Sequence, residues 1–366
     1  MNPTVTQLFE ENNTLKFTIN NINSSLINSL RRVILSEIPT IVFRTFPYDK
    51  NKANIEVNTT RFNNEIIKQR LSCIPININD LNFPYQDHIM ELEVFNDTKE
   101  IIYVTTEDFK IKNKKTNMYI SDLALQKIFP PNNITNTYID FLRLHPQIAE
   151  NIPGEQIKLT CEFDLGKAKE NGAFNVVSTC SFGGTLDLIK IEKEWSVKEK
   201  KVTEEEKEDI DFIKKDWLLI EGARNTIKDS FDFIIESIGI YSNFELMVMA
   251  CDIMIDKFKN FIKILQEQPI IDKSNDTLEN CYIITLENED YTLGKVIEYL
   301  LYTLYFGNEL TFCGFRKPHP HINSSILKLS FKEDVDNNTI ISKIVSVCLE
   351  GIKIYEDIKG NFINKE

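Results

Sequence analysis

Glycine, proline, paired cysteines and positive charge are all in short supply in this sequence. Twelve Gly and 12 Pro among 366 residues exclude collagen-like and linker-rich architectures. Forty-two basic residues stand against 55 acidic ones, a net charge of −13. That balance argues against a chain whose main task is to coat nucleic acid with its own surface. The seven cysteines (73, 161, 180, 251, 281, 313 and 348) are far apart, odd in number, and form no CxxC pair. Such thiols read as small buried hydrophobes in a reducing, intracellular compartment. No long hydrophobic run occurs: the most apolar stretch, 244–255, is broken by Glu245 and Asp252, so no membrane span is expected. The first residues, MNPTVTQLFEENN, have neither the basic start nor the apolar run of a signal peptide. What is present is 42% hydrophobic and 27% charged, the balance of a folded protein, and the length calls for two or three domains of about 100–200 residues.

An internal repeat organises the chain. A shift of 267 residues lays 15–35 over 282–302 without gaps, pairing Thr18 with Thr285, Asn21 with Asn288 and Leu26 with Leu293. Both copies alternate with period two, cross a polar turn (NNINSS or ENEDYT) and switch to period 3–4, which predicts strand, turn and helix. Each half also ends in a striped helix. The first stripe is Phe244, Met247, Val248, Cys251, Met254, Ile255, Phe258, Phe261, Ile262 and Leu265. The second is Ile341, Ile344, Val345, Cys348, Ile352 and Tyr355. Stripes this wide must be covered, either each by its own sheet or by one another across a twofold-like interface. Between the copies, residues 41–191 carry short alternating runs (91–95, 101–105, 156–163) and read as a mainly β insertion, with one helix at 62–71. Of residues 192–216, 17 are charged, which predicts an exposed connection or solvated helix.

No catalytic constellation emerges. His319 and His321 form half of the histidines, but a turn between strands at 309–315 and 326–331 is the stronger reading than a zinc site. Asp209 and Asp211 have the spacing of a magnesium pair within a solvated charge run. Gly-Lys at 166–167 and 294–295 lacks the rest of a phosphate loop, and no serine or cysteine has an evident base. Catalytic residues, metal and cofactor are all expected to be none.

Several motifs are nevertheless specific. NSLRRVILSEIPT (28–40) is similar to the assembly motif of the bacterial RNA polymerase α subunit and its nuclear and archaeal relatives. NNEIIKQRLSCIP (63–75) and SFDFIIESIG (230–239) resemble segments of the third-largest subunit of RNA polymerase II. DYTLG (290–294) and FCGFRKPHP (312–320) resemble its partner, the eleventh subunit. In that family the two are separate chains forming the α-like heterodimer on which the two large catalytic subunits assemble. Here they look fused, an arrangement associated with polymerases of large DNA viruses. No cysteine lies between Cys73 and Cys161, so the four-cysteine zinc loop common in third subunits is not carried over.

The resemblance implies an α+β fold: two homologous strand–helix assembly domains forming an intramolecular pseudo-dimer, with a mainly β domain inserted in the first. The expected boundaries are 1–40 plus 215–265 for the first assembly domain, 41–214 for the insertion with a charged connection at 192–214, a linker at 266–276, and 277–366 for the second assembly domain. The implied function is a non-catalytic assembly platform, the alternative being a free-standing dimerisation module. Implied partners are the two large catalytic subunits and small polymerase subunits, with DNA reached only through the complex and no membrane. The implied location is a virion and cytoplasmic virus factory, or a nucleus if the source is cellular. Implied assembly residues are Asn28, Leu30, Arg31, Arg32, Glu65, Arg70, Thr292, Leu293, Gly294, Leu300, Gly314, Arg316, Pro318, His319 and Pro320. Arg31 and Arg32 point off the apolar face of Leu26, Leu30, Val33 and Ile34, toward a large subunit or toward solvent. Asp290 or Thr292 is expected to cap the second helix, with Gly294 allowing close packing. Leu300 is placed on an apolar face with Leu293, Val296, Ile297, Leu301 and Leu304, and Glu298 opposite it. Residues 316–320 are expected to shape a turn at the domain edge.

Overall fold

Alternating runs become strands and 3–4 periodic runs become helices along most of the chain. The computed structural model describes residues 2–149, 151–201, 209–267, 271–274 and 277–363. In chain order the elements are β1 (Thr4–Glu11), β2 (Thr14–Asn20), α1 (Ser24–Ser36), β3 (Pro39–Phe43), β4 (Ala53–Asn58), α2 (Asn64–Ser72), β5 (His88–Phe95) and β6 (Ile102–Thr105). Then come β7 (Lys110–Asn113), α3 (Asp122–Ile128), β8 (Asp140–Leu144), β9 (Gln156–Lys167), β10 (Val177–Leu186), α4 (Leu188–Glu199), α5 (Ile210–Ile220) and β11 (Thr226–Ser237). The remainder is α6 (Asn243–Glu267), β12 (Ile271–Lys273), β13 (Cys281–Leu286), α7 (Tyr291–Tyr305), β14 (Leu310–Arg316), β15 (Ser325–Phe331) and α8 (Asn337–Gly360).

The chain divides into two compact units. One comprises Met1–Ile34, Thr179–Glu236 and Asn243–Glu366; the other comprises Leu35–Ser178 and Ser237–Ser242. The first unit holds two four-stranded sheets of corresponding order, β1-β2-β11-β10 and β12-β13-β15-β14. β2 pairs antiparallel with β1 and β11, as β13 does with β12 and β15. The 267-residue shift holds in detail. It carries the first residue of α1, Ser24, onto the first residue of α7, Tyr291. It also carries Asn13 and Asn21, at φ 61° and 59°, onto Asn280 and Asn288, at 47° and 59°. Asparagine tolerates this left-handed conformation better than most residues, so both strands are bounded by the same backbone device.

The inward faces of both sheets are apolar. Leu15, Phe17 and Ile19 are buried on β2, and Tyr282, Ile284 and Leu286 on β13. α6 packs along α8. Phe258 lies with its ring centroid 6.1 Å from that of Tyr355, and a Cβ on Gly351 would come within 2.7 Å of the Phe258 ring. Phe362, just past α8, stacks edge-on against Phe17 of the first sheet at 5.1 Å. The second compact unit is mainly β. Its sheet has the order β3-β9-β5-β7 with β4 also on β9, and β6 pairs β8. Its core is aromatic: Phe43, Phe109, Phe129, Phe141 and Phe163 are buried together.

Three expectations need correction. The division falls at 35–178, not 41–214, because β3 pairs β9 within the mainly β unit while β10 completes the first sheet beside β11. The 266–276 segment is not only a linker: α6 continues through Glu267, and 271–273 form the edge strand β12 paired with β13. Residues 268–270 and 275–276 of that segment lie outside the described residues. The charged segment 192–216 is not simply solvated. Its described parts contribute to α4 and α5, whose Trp195 and Trp217 are buried with Ile191, ring centroids 5.6 Å apart; residues 202–208 lie outside the described residues. The charges occupy the remaining faces, and Lys198 and Lys214 lie over the Trp217 and Trp195 rings.

Trp195 and Trp217 are the only two tryptophans of the sequence, and their cluster has three buried members. Small satellite cores open before large ones. Tryptophan emission should therefore shift to the red at lower urea than the loss of far-ultraviolet circular dichroism. Coincident transitions would mean that α4 and α5 unfold together with the sheets.

Candidate subunit-assembly site

α1 begins where Asn23 accepts the Ser25 backbone N–H at 2.9 Å. Leu26, Ile27, Leu30, Val33 and Ile34 then bury one face. On the flank, Asn28 accepts from Arg31 Nε at 3.0 Å, so those two expected assembly residues are braced within their own helix. Arg32 behaves differently from both expectations. Its guanidinium reaches α7, donating to Asp290 Oδ2 at 3.0 Å and to Thr292 Oγ1 at 2.9 Å. Asp290 is at the same time the N-cap of α7, accepting the Thr292 N–H at 2.8 Å. A carboxylate at a helix N-terminus is favoured by the unpaired N–H groups there, and Arg32 adds a charge-assisted contact. Arg32 therefore joins the first repeat to the second.

A second polar contact lies deeper. The hydroxyls of Ser29 and Tyr355 are 2.6 Å apart, both residues being buried. Burial pushes the Tyr355 phenol up, against a smaller opposing effect of its bond to Ser29. Sequence reasoning missed this pair, since Ser29 sits among apolar neighbours and Tyr355 in an apolar stripe.

The two motifs of the second half meet in one contact. Phe315, from the motif at 312–320, lies over Gly294 from DYTLG so closely that a Cβ on Gly294 would stand 2.0 Å from its ring. The Tyr291 ring meets Phe315 edge-on at 5.5 Å. Gly314 repeats the device, since a Cβ there would stand 2.8 Å from the Phe312 ring. Glu298 accepts the Phe315 backbone N–H at 3.1 Å and pairs with Lys295 at 2.5 Å, so it faces β14 and not open solvent, contrary to expectation. Leu293 and Leu300 are buried, whereas Leu304, expected on their face, is exposed. Arg316, Pro318, His319 and Pro320 are exposed at the end of β14 and in the following turn, where His319 Nδ1 accepts the His321 N–H at 3.2 Å.

Glu65 and Arg70 lie on α2, in the mainly β unit. Glu65 is exposed beside Lys68 at 3.3 Å. Arg70 donates to the carbonyls of Phe141 and Asp140 at 2.7 and 2.9 Å and covers the Phe62 ring, so it braces α2 against β8. No group of three or more His, Cys, Asp or Glu that could hold a metal occurs among the described residues. Cys313 is turned toward the Glu298 carbonyl at 3.7 Å, and burial pushes its thiol up to about 12. No helix among the described residues is long and apolar enough to cross a membrane.

Gly294→Ala should cost about 1–3 kcal/mol, the usual penalty for forcing extra volume into a packed contact. Phe315→Leu in the same chain should recover part of it, read by thermal melting as a double-mutant cycle. Glu298→Lys should also lower the melting temperature, because it removes the acceptor of the Phe315 N–H.

Comparison with known proteins accords with this arrangement. The family model described as the RNA polymerase Rpb3/Rpb11 dimerisation domain matches residues 16–258, from β2 into α6. The DNA-directed RNA polymerase subunit Rpo3 of Methanosphaera stadtmanae is 23% identical over 273 residues, covering 69% of this chain and 94% of its own length. The subunit RPAC1 of DNA-directed RNA polymerases I and III of Homo sapiens is 24% identical over 199 residues, covering 50% of this chain and 54% of its own. A conjugation stage-specific protein of Tetrahymena thermophila is 27% identical over 187 residues, covering 48% of this chain and 57% of its own. The chain thus spans a little over half the length of the last two. The matched span takes in more than half of this chain, which belongs to the RNA polymerase Rpb3/Rpb11 dimerisation-domain family.

Proposed function

We propose that this chain is a non-catalytic assembly subunit of a DNA-directed RNA polymerase, on which the two large catalytic subunits and small polymerase subunits associate. The observation that carries the reading is the repeat. The family match ends at 258, yet residues beyond it reproduce the same strand order, the same helix start and the same left-handed asparagines. This supports a chain that unites two α-like partners as an intramolecular pseudo-dimer, third-subunit-like in its first half and eleventh-subunit-like in its second, with the mainly β unit inserted in the first. Asn28, Leu30, Arg31, Arg32, Glu65, Arg70, Thr292, Leu293, Gly294, Leu300, Gly314, Arg316, Pro318, His319 and Pro320 are the proposed assembly residues. Within that set, Arg32 and Thr292 link the two halves and Gly294 and Gly314 set packing within the second, while Arg316, Pro318, His319 and Pro320 are exposed and free to meet other subunits. No part of the proposal requires the chain itself to bind DNA or turn over nucleotides, in keeping with its net charge of −13. A polymerase of a large DNA virus, acting in virion and cytoplasmic factory, is the setting that the fused arrangement favours.

Affinity purification of the tagged full chain from its source should recover two very large partners and a template-dependent RNA-synthesising activity. Recovery of the chain alone, at its own mass, would favour a free-standing dimerisation module instead. A protease site inserted between Glu267 and Ile271 should, after cleavage, leave two fragments that run together in gel filtration. Their separation would expose the apolar area shared by α6 and α8, at about 25 cal/mol per Å².

A further inference from the structure

Polar side-chain contacts link the first half to the second, and the repeat lets four of these pairs be compared with their own counterparts. The 267-residue shift relates α1 to α7. A second shift, of 97 residues, carries Cys251 onto Cys348 and Phe258 onto Tyr355, and so relates α6 to α8. Any contact between halves therefore has an equivalent position with the roles exchanged.

Lys257 Nζ donates to both carboxylate oxygens of Glu289, at 3.2 and 3.1 Å. The equivalent position holds Ile354 and Ile22, both fully buried. Ser29 and Tyr355 share a hydrogen bond, and the equivalent residues are Val296 and Phe258, again fully buried. Lys359 Nζ donates to Asp252 at 2.6 Å, where the equivalents are Ile262 and Leu349. Arg32 pairs with Asp290, where the equivalents are Tyr299 and Asn23. The counterparts of Lys257–Glu289 and Ser29–Tyr355 are buried apolar pairs, that of Lys359–Asp252 is an apolar pair with Leu349 exposed, and that of Arg32–Asp290 is an uncharged polar pair.

We infer that these one-sided pairs form a pairing code that fits the first-half surface to the second-half surface, within one chain or between two, and rejects a copy of itself. The inference rests on the reading of two related halves. Pairing two first halves would set Lys257 against Ile22, Asp252 against Ile262 and Arg32 against Asn23. Pairing two second halves would set Glu289 against Ile354 and the Tyr355 hydroxyl against Val296. The cost falls at the buried positions: Lys257 opposite Ile22 in one arrangement, and Glu289 opposite Ile354 with the Tyr355 hydroxyl opposite Val296 in the other, lose water without gaining a partner. Rejection of the wrong partner by such stranded groups is what makes an interface selective beyond its apolar area.

The test uses two full-length chains, each with a Gly/Ser segment of about twenty residues inserted between Glu267 and Ile271 so that halves can exchange. One carries Asp252→Lys and Lys257→Glu; the other carries Glu289→Lys and Lys359→Asp. Each chain alone opposes like charges at both pairs and should lose soluble monomer. Expressed together under different tags, they should co-purify as a one-to-one species of twice the mass, since exchange restores opposite charges at every pair. All four substitutions in one chain should restore the monomer. The code is overturned if each altered chain is monomeric and melts like its unaltered parent, if the fourfold variant does no better than the twofold ones, or if the fourfold variant folds while the two chains fail to associate. Failure of the polymerase reading would appear separately, as absence of polymerase subunits on the unaltered chain.

Discussion

The constraint on which the larger unit depends is the burial of two long helices whose apolar faces are wider than one contact can cover. α6 and α8 run for 25 and 24 residues and bury side chains along most of that length. The two pack on one another, α6 also meeting β2 and α8 also meeting α7. Gly351 leaves the space that the Phe258 ring occupies, and Phe362 carries the end of α8 to Phe17 of the first sheet. Removing either helix would uncover apolar surface on the other.

Polar groups at the edges of this apolar joint decide how it is used. Arg32 reaches the same carboxylate that caps α7, so helix initiation in the second repeat and contact with the first are served by one side chain, Asp290. The Gly294–Phe315 contact has a similar double duty. It lets β14 lie against the start of α7, and the Glu298 carboxylate then holds the Phe315 N–H. Sequence motifs that look like recognition signals are, at these positions, the packing of a helix start. The exposed turn beyond Arg316 is the part of the same motif left facing outward.

Much was legible in the residue pattern. The strand–turn–helix repeat, the two striped helices, the helix near 62–71 and a cap at Asp290 or Thr292 all follow from spacing, because each depends on neighbours within a few residues; the structure decides for Asp290. Glu298 and Leu304 were misread for a physical reason: helical periodicity gives a face but not what stands beside it. β14 covers Glu298 and leaves Leu304 exposed. The charged segment was misread because two tryptophans and a few isoleucines suffice for a small core when their helices meet. Composition averaged over 25 residues conceals that.

What the sequence by itself determined is the repeat and its periods, since strand, turn and helix signals are local and both copies carry them. Only the tertiary structure decided which strands complete each sheet, that β10 joins the first sheet and β12 the second, and that Arg32, Ser29, Asp252 and Lys257 find their partners 258, 326, 107 and 32 residues away. Those choices depend on chain closure over long separations, where a side chain's partner is set by the packing of whole helices and sheets and not by its neighbours in the chain.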